Sequence, residues 1–346
     1  MKILYGIQGT GNGHLSRAEE LIPAFQKYAN VDVLISGNQS QLNTRLDFKY
    51  TLSGLTFVTG KKGGISIPAT ICNFSPKKFI QDVRNLPIEN YDIIISDFEP
   101  VTAWSGRLKG KKVIELSHQA GVKHPNAPKP DRSFNLGRFI LHNYCPSDHK
   151  YGFHFESFAP SIFTPVLRRK IRELDPKQGS FNLVYLPSYG DEKILKFLRN
   201  FDSEWKVFSK YTKAINRTSN VTFHPIDQQE FLRSLEKCNG VLCGAGFELP
   251  AEAIYLKKKL LVIPLAGQYE QFCNAEALKK IGYSSIDDLD LIHHRLVNNW
   301  LNASSTDGLF YEDNSDLIAQ KVLGMSKDVV DPVDELNNDL ILLSSF

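Results

Sequence analysis

The first residues able to do chemistry lie in GTGNGH, Gly9 to His14, where three glycines at alternate positions follow an apolar run and lead to an imidazole. A glycine loop lets a ligand come close to the backbone, and the N–H groups of a helix start favour an anion. Gly9 and Gly11 fit the first two positions of the dinucleotide fingerprint GxGxxG. The third falls on His14, whose side chain obstructs the close helix packing that glycine permits. The acidic residue expected about 20 residues further on is also missing, because the next apolar run ends Ile35-Ser36-Gly37. No GK[ST] follows the loop, so it is not a Walker A phosphate loop. What remains is a ligand loop of Gly9, Thr10, Gly11, Asn12 and Gly13, with His14 in the first turn of the next helix. A positive helix end favours the neutral imidazole, the form able to accept a proton, which makes His14 a candidate general base. Helix capping is the other reading of the same residue.

A second constellation runs from Gly240 to Leu278, GVLCGAGFELPAEAIYLKKKLLVIPLAGQYEQFCNAEAL. A strand enters Gly244-Ala245-Gly246-Phe247 and a helix starts there. A second strand ends at Pro264, and the polar loop Gly267 to Gln271 opens another helix. Glycine-rich junctions of this kind expose N–H groups and a positive helix end, which suits a diphosphate. Glu252 lies six residues beyond Gly246, near enough for its carboxylate to take both hydroxyls of a ribose. Gln268, Glu270, Gln271 and Asn274 surround the next helix start, within reach of the same sugar nucleotide. Ser117-His118-Gln119 follows another apolar run, which places His118 at a strand end on the acceptor side. Asp288-Leu289-Asp290 has the form of a metal-binding DxD but falls in an acidic stretch expected to be helical, so no metal ligand is assigned to it.

The elements that must position these residues alternate between short apolar runs and amphipathic stretches, the pattern of parallel sheets covered by helices. Strands are expected at Lys2 to Ile7, Val31 to Ser36, Leu55 to Thr59, Tyr91 to Ser96 and Lys112 to Leu116, and helices at Leu15 to Tyr28 and Pro76 to Asn85. A second series starts at Phe181, with strands FNLVYLP, WKVFS, NVTFH, GVLCG and LLVIPL. Its helices are Glu192 to Arg199, Gln228 to Glu236, Leu249 to Leu256 and Tyr269 to Lys280. Between them, Pro146 to Gly179 has weak periodicity, and the hinge is placed near Thr164-Pro165. The expected organisation is one Rossmann-like domain over 1–165, a second over 166–330, and a tail over 331–346 whose DLILLSS can pack as a final segment. Two doubly wound domains in series predict a ligand in the cleft between them, at the C-terminal ends of the strands.

Composition limits the function classes. A chain of 346 residues, 42% of them hydrophobic, buries a full core and suits two domains. A net charge of +3 is too small for an obligate nucleic-acid binder, although Lys61-Lys62, Lys77-Lys78 and Lys109-Gly110-Lys111-Lys112 concentrate positive charge in the first third. The five cysteines, Cys72, Cys145, Cys238, Cys243 and Cys273, show no metal spacing and are odd in number, which fits buried thiols in a reducing cytoplasm. No apolar run approaches the roughly 20 residues of a membrane span.

On the motifs GTGNGHLSRA, IIISDFEP and Gly240 to Leu278, the chain resembles the GT-B glycosyltransferases that use UDP-sugars. Among them it is similar to the bacterial enzymes that add N-acetylglucosamine to lipid I and to the bacterial and archaeal proteins grouped with those. The resemblance covers both domains. It implies a metal-independent transfer of a hexose or N-acetylhexosamine with inversion and no cofactor beyond the nucleotide-sugar substrate. It puts the base on His14 and a supporting or acceptor-side aspartate on Asp97. The nucleotide-ribose glutamate falls on Glu252, and the donor signature on Gln271 and Asn274. Where that family carries an arginine before its donor loop, this chain has Gly244, which leaves the charge contacts to the diphosphate unassigned. The acceptor it implies is lipid-linked or small, with peripheral membrane contact through the lysine-rich loops, Phe74, Phe79 and Trp104. A nucleotide-sugar 2-epimerase and a catalytically silent sugar-nucleotide-binding protein are the competing readings; the first-domain carboxylates available to an epimerase are Asp97 and Glu99.

Overall fold

The computed structural model describes residues 1–37, 44–54, 59–60, 64–65, 75–131, 135–304 and 307–325. Lys61, Lys62, Cys72, Phe74, the expected strand before Thr59 and the tail over 331–346 lie outside the described residues.

The first half runs β1 (Lys2–Gln8), α1 (Gly13–Gln26), β2 (Asn30–Ser36), β3 (Tyr50–Leu52), β4 (Thr59–Gly60), β5 (Gly64–Ile65), α2 (Pro76–Asn85), β6 (Ile93–Asp97), α3 (Pro100–Leu108), β7 (Val113–Ser117), α4 (His118–Lys123), α5 (Asn135–Asn143), β8 (His149–Phe153) and β9 (Ile162–Phe163). Short α6 (Arg169–Arg172) lies in the connector. The second half runs β10 (Phe181–Tyr185), α7 (Asp191–Leu198), β11 (Glu204–Ser209), β12 (Asn216–Thr218), β13 (Val221–Pro225), α8 (Gln228–Lys237), β14 (Gly240–Gly244), α9 (Glu248–Tyr255), β15 (Lys259–Ile263), α10 (Tyr269–Lys280), β16 (Ser284–Ser285), α11 (His294–Asn302) and α12 (Ser315–Val322).

Two seven-stranded sheets result, ordered β3-β2-β1-β6-β7-β8-β9 and β12-β13-β11-β10-β14-β15-β16. Every pairing in the first is parallel; in the second only β12 runs antiparallel to its neighbour. Runs such as KLLVI of β15 and VIELS of β7 are buried at every position, as central strands covered on both faces must be. Among the parallel strands each order reverses once, between β1 and β6 and between β10 and β14. Those two reversal points are where a doubly wound sheet opens a crevice at its strand ends. Gly9 to His14 follows β1, Asp97 ends β6, and Gly244 to Phe247 follows β14, so the candidate residues gather at both crevices. The described cysteines, Cys145, Cys238, Cys243 and Cys273, are free and buried.

Several elements differ from expectation. The Pro146 to Gly179 stretch holds β8 and β9, which complete the first sheet. Their pattern hides because β8 is only partly buried and contains Gly152. That glycine meets Gly121 of α4 backbone to backbone: a Cβ on Gly121 would lie 2.3 Å from the Phe153 carbonyl oxygen, and one on Gly152 2.3 Å from the Gly121 nitrogen. This contact seats α4, and with it His118, tightly on β8. The connector from β9 to β10 spans the expected division at 165/166. Helix α12, inside the segment expected to belong to the second domain, packs instead on α1 of the first. There Lys27 Nζ and the Tyr28 hydroxyl donate to Asp316 at 3.0 and 2.9 Å, and Gln320 donates to the Tyr28 hydroxyl at 2.7 Å. Asp288 and Asp290 lie in a bend rather than a helix; Asp290 caps the following 3₁₀ turn by accepting from the Ile292 N–H at 2.9 Å.

Gly121→Ala puts a methyl group against backbone that cannot yield. It should lower unfolding stability by ~1–3 kcal/mol in a denaturant titration, the usual cost of overpacking, whereas Gly110→Ala, at a position with open space around it, disturbs only its own turn.

Candidate active site

Asp97 is the last residue of β6, and the chain leaves it through Phe98 in a left-handed conformation with φ 53°. A non-glycine residue there costs on the order of 1 kcal/mol or more, a strain characteristic of functional turns. The turn is held on both sides. Phe98 stacks on Tyr144 at 4.7 Å, while Glu99 caps α3 by accepting from the N–H groups of Val101 (2.8 Å) and Thr102 (2.6 Å) and from the Ser36 hydroxyl. Burial raises the pKa of Glu99 against the pull of these donors. Its carboxylate is committed to the turn that aims Asp97.

Across from it, α1 brings two residues three apart onto one face, as helical spacing demands: His14 and Arg17. His14 Nδ1 lies 2.8 Å from Asp97 Oδ1. Arg17 donates to the same carboxylate from Nε (3.2 Å to Oδ2) and from Nη2 (2.7 Å to Oδ1 and 3.0 Å to Oδ2). Nη2 also stands 3.1 Å from His14 Nδ1. A guanidinium only donates and a carboxylate only accepts, so Nδ1 cannot serve both. A bare Nδ1 would set its lone pair against Asp97 at 2.8 Å. The proton therefore sits on Nδ1 and is given to Asp97, and the Arg17 contact is electrostatic. That tautomer leaves Nε2 with a lone pair and no hydrogen-bond partner among the described residues, on a ring 13% exposed.

Arg17 is the pivot of the cluster. Its side chain is 2% exposed, its guanidinium lies over the Phe153 ring at 5.0 Å, and Nη1 reaches across the cleft to Glu248 Oε1 at 2.5 Å. Burial alone would lower its pKa, but Asp97 and Glu248 together hold it above the ordinary value. Burial likewise raises the Asp97 carboxyl, and the Arg17 charge together with the hydrogen bond from His14 more than reverses this, leaving it below the usual range. Glu248, in the first turn of α9, is pushed up to about 7 by burial despite Arg17. Gly13 lets it approach: a Cβ there would stand 3.1 Å from Glu248 Cγ.

The second domain contributes the facing wall. Phe247 lies flat on His118, ring centroids 3.9 Å apart at 10°. His118 Nδ1 faces the Phe153 carbonyl at 2.9 Å and Nε2 faces Asn274 Oδ1 at 2.8 Å. Burial drives this imidazole down to about 3, so the ring is neutral and only one of the two contacts is a hydrogen bond. Asn274 also donates to the Ala245 carbonyl at 3.0 Å, tying α10 to the glycine loop after β14. Gln119 donates to Glu270 at 2.9 Å. Gln271 donates to Gln268 Oε1 and accepts from the Leu265 N–H, each at 2.9 Å. Around Gly11 and Gly246 no atom comes within 4 Å of where a Cβ would be, and Gly244 has only ordinary contacts, so both glycine loops stay open to a ligand. Gly9 is fixed by its N–H to the Ser36 carbonyl (2.7 Å) and Thr10 by Gln8 (2.9 Å), while Asn12 is exposed and makes no side-chain cap.

Glu252 is nearly buried in α9, and Arg168 from the connector takes both its oxygens, Nε to Oε1 at 2.7 Å and Nη2 to Oε2 at 2.8 Å. Burial raises its pKa and Arg168 opposes the rise. Among the described residues no group of His, Cys, Asp or Glu is arranged to hold a metal ion.

Sequence reasoning missed Arg17, Glu248 and Arg168. The first left a signal, since it stands three residues from His14 and must share its face. The partners of the other two come from elements remote in the chain.

A family model described as "Glycosyl transferase family 1" matches residues 1–304. None of the curated proteins matches. The chain is similar in structure to MurG of Acinetobacter baumannii, with TM-score 0.55, 14% identity, and 94% of this chain and 99% of that one covered. It is also similar to the glycosyltransferase SnogD of Streptomyces nogalater (0.51, 13%, 94% and 95%) and to a UDP-N-acetylglucosamine 2-epimerase (0.53, 12%, 96% and 98%). At these identities the likeness establishes the two-domain fold.

The network makes a pH prediction. Asp97 has a depressed folded pKa, so its contribution is present above the ordinary carboxyl value near 3.9 and lost as pH falls through the lower, folded value. Asp97→Asn should cost on the order of 3 kcal/mol at pH 7, because it strips a buried guanidinium of one anion. Denaturation curves of the two proteins should draw together below about pH 4.

Proposed function

The chain belongs to glycosyl transferase family 1 and is a glycosyltransferase, and on that premise we propose that it moves a hexose or N-acetylhexosamine from a UDP-linked donor to an acceptor hydroxyl with inversion. The observation that carries this reading is the His14–Asp97 pair, 2.8 Å apart at the reversal point of the first sheet, with Nε2 unpartnered among the described residues. Nε2 takes the proton of the acceptor hydroxyl as its oxygen attacks the anomeric carbon. Asp97 offsets the charge that grows on the ring, and the diphosphate leaves from the opposite face, which inverts the centre.

The donor lies along the second sheet. Backbone N–H groups of Gly244 to Phe247 and the positive end of α9 meet the developing diphosphate charge, an electrostatic role that calls for no metal. Glu252 takes the ribose: a carboxylate offers about four lone-pair sites, and the Arg168 fork engages one on each oxygen, leaving two for hydroxyl donors. Gln268, Glu270 and Gln271 face the sugar, while Asn274, fully buried, holds the glycine loop that receives the donor through its bond to the Ala245 carbonyl. His118, beneath Phe247, supports the acceptor side.

The acceptor is lipid-linked or small. The exposed Lys77, Lys78 and Lys112 and the Trp104 ring, 38% exposed and anchored by its own N–H to the Tyr144 carbonyl at 3.1 Å, support a peripheral contact with an anionic membrane from the cytoplasmic side, whereas Lys109 and Lys111 are spent on Glu89 and on backbone carbonyls. Phe79 packs on the first-domain core instead. No described helix is long and apolar enough to cross a membrane. The capping role of Glu99 weighs against the epimerase alternative, since it removes one of the two carboxylates that reading could use.

His14→Ala should lower transfer by ~10²–10⁴-fold, the usual worth of a general base, with donor affinity changed only a few-fold. Glu252→Ala should do the reverse. Equal turnover by wild type and His14→Ala would remove the base assignment, and recovery of an epimerised nucleotide sugar in place of UDP would favour the isomerase. A thermal-shift panel of UDP, GDP and dTDP checks the donor, because a ligand of the native state raises apparent stability; UDP should give the largest shift.

A further inference from the structure

Resting on the reading of His14 as the base, we propose that Arg17 is a positioning residue through which the second domain sets that base: Glu248 anchors the guanidinium that aligns Asp97 on His14, so the base is fully assembled only with the two domains closed. A guanidinium is a rigid planar fork. Its Nε and Nη2 edge faces Asp97, and its remaining corner, Nη1, is held by Glu248 at 2.5 Å. Fixing Nη1 fixes the plane, and the plane fixes the angle at which Asp97 meets His14 Nδ1. Among the described residues of its own domain, the guanidinium meets Asp97, the Phe153 ring and the imidazole itself. Its hydrogen-bond anchor outside the His14–Asp97 pair comes from the far side of the cleft, from Glu248.

The charges act in the same direction. With the domains apart, Arg17 and Asp97 cancel. When Glu248 closes on them, a second acid faces the guanidinium, and an imidazolium forming on His14 meets added negative charge to the extent that Glu248, pushed up to about 7 by burial, is ionised. Glu248 begins the helix whose N-terminal N–H groups face the donor diphosphate, so the contact that completes the base is made by the element that holds the donor. The geometry couples donor enclosure to base readiness and leaves an open, water-filled cleft with a misaligned base.

The test reads the His14 ring directly, on the full chain labelled with ¹⁵N-histidine and without substrate, the signal being assigned by its absence in His14→Gln. In wild type His14 should show the Nδ1–H tautomer. Glu248→Ala, in the partly exposed first turn of α9, should shift it to a mixture of tautomers, and Glu248→Gln, whose amide oxygen still accepts from Nη1, should restore most of the wild-type signal. The effect of Glu248→Ala should vanish in an Arg17→Lys background, since residues acting through one another are not additive. UDP release from UDP-N-acetylglucosamine should fall about tenfold in Glu248→Ala with the KM for that sugar nucleotide little changed, as expected when a positioned group is loosened. A His14 signal identical in wild type and Glu248→Ala overturns the proposal, even if Arg17→Lys proves unstable. Undiminished UDP release by a His14 variant overturns the base reading instead, and the tautomer measurement tells the two failures apart.

Discussion

A single buried cation holds the centre of this molecule together. Taking a guanidinium out of water is costly unless carboxylates surround it, and Arg17 is met by one from each domain, Asp97 and Glu248. Several other features follow from satisfying it. The reversal of strand order between β1 and β6 brings the α1 loop beside the end of β6. The left-handed Phe98 and the Glu99 cap fix where Asp97 points, and Gly13 has no side chain to hold Glu248 away. Removing one carboxylate leaves a charge with no route to water while the domains stay together.

The fold was largely legible because its central strands are apolar runs and its helices carry apolar spacing, with a first-turn proline marking the start at Pro76. Pro76–Asn85 and Gly240–Gly244 fall where periodicity and the cap signals place them. What escaped was short or half-buried. β8 gives no clean alternation, and its glycine reads as a loop when its function is to let α4 lie against it. The site divides along the same line. His14 and the glycine loop after β14 stood out because glycines and helix starts mark them locally. The pairs Arg17 with Glu248 and Arg168 with Glu252, separated by 231 and 84 residues, carry no local mark at all.

The two carboxylates of α9 show why residue type underdetermines role. Glu248 and Glu252 are one helical turn apart, and each is met by an arginine from outside its own domain core. One faces Arg17 and His14 and the other the connector. Helix α9 thus carries, on its flank, two acids that are each paired with a cation from elsewhere.

Helix α12 gives the molecule a mechanical character that its two sheets alone would not have. The chain passes between the domains once through the connector after β9 and again on its way to α12, where Asp316 and Gln320 grip Lys27 and Tyr28 beyond the far end of α1. A body attached at two points has fewer relative motions open to it than one attached at a single point. Helix α1 is thus met by the second domain near its start, where Arg17 pairs with Glu248, and by the returning chain just beyond its finish.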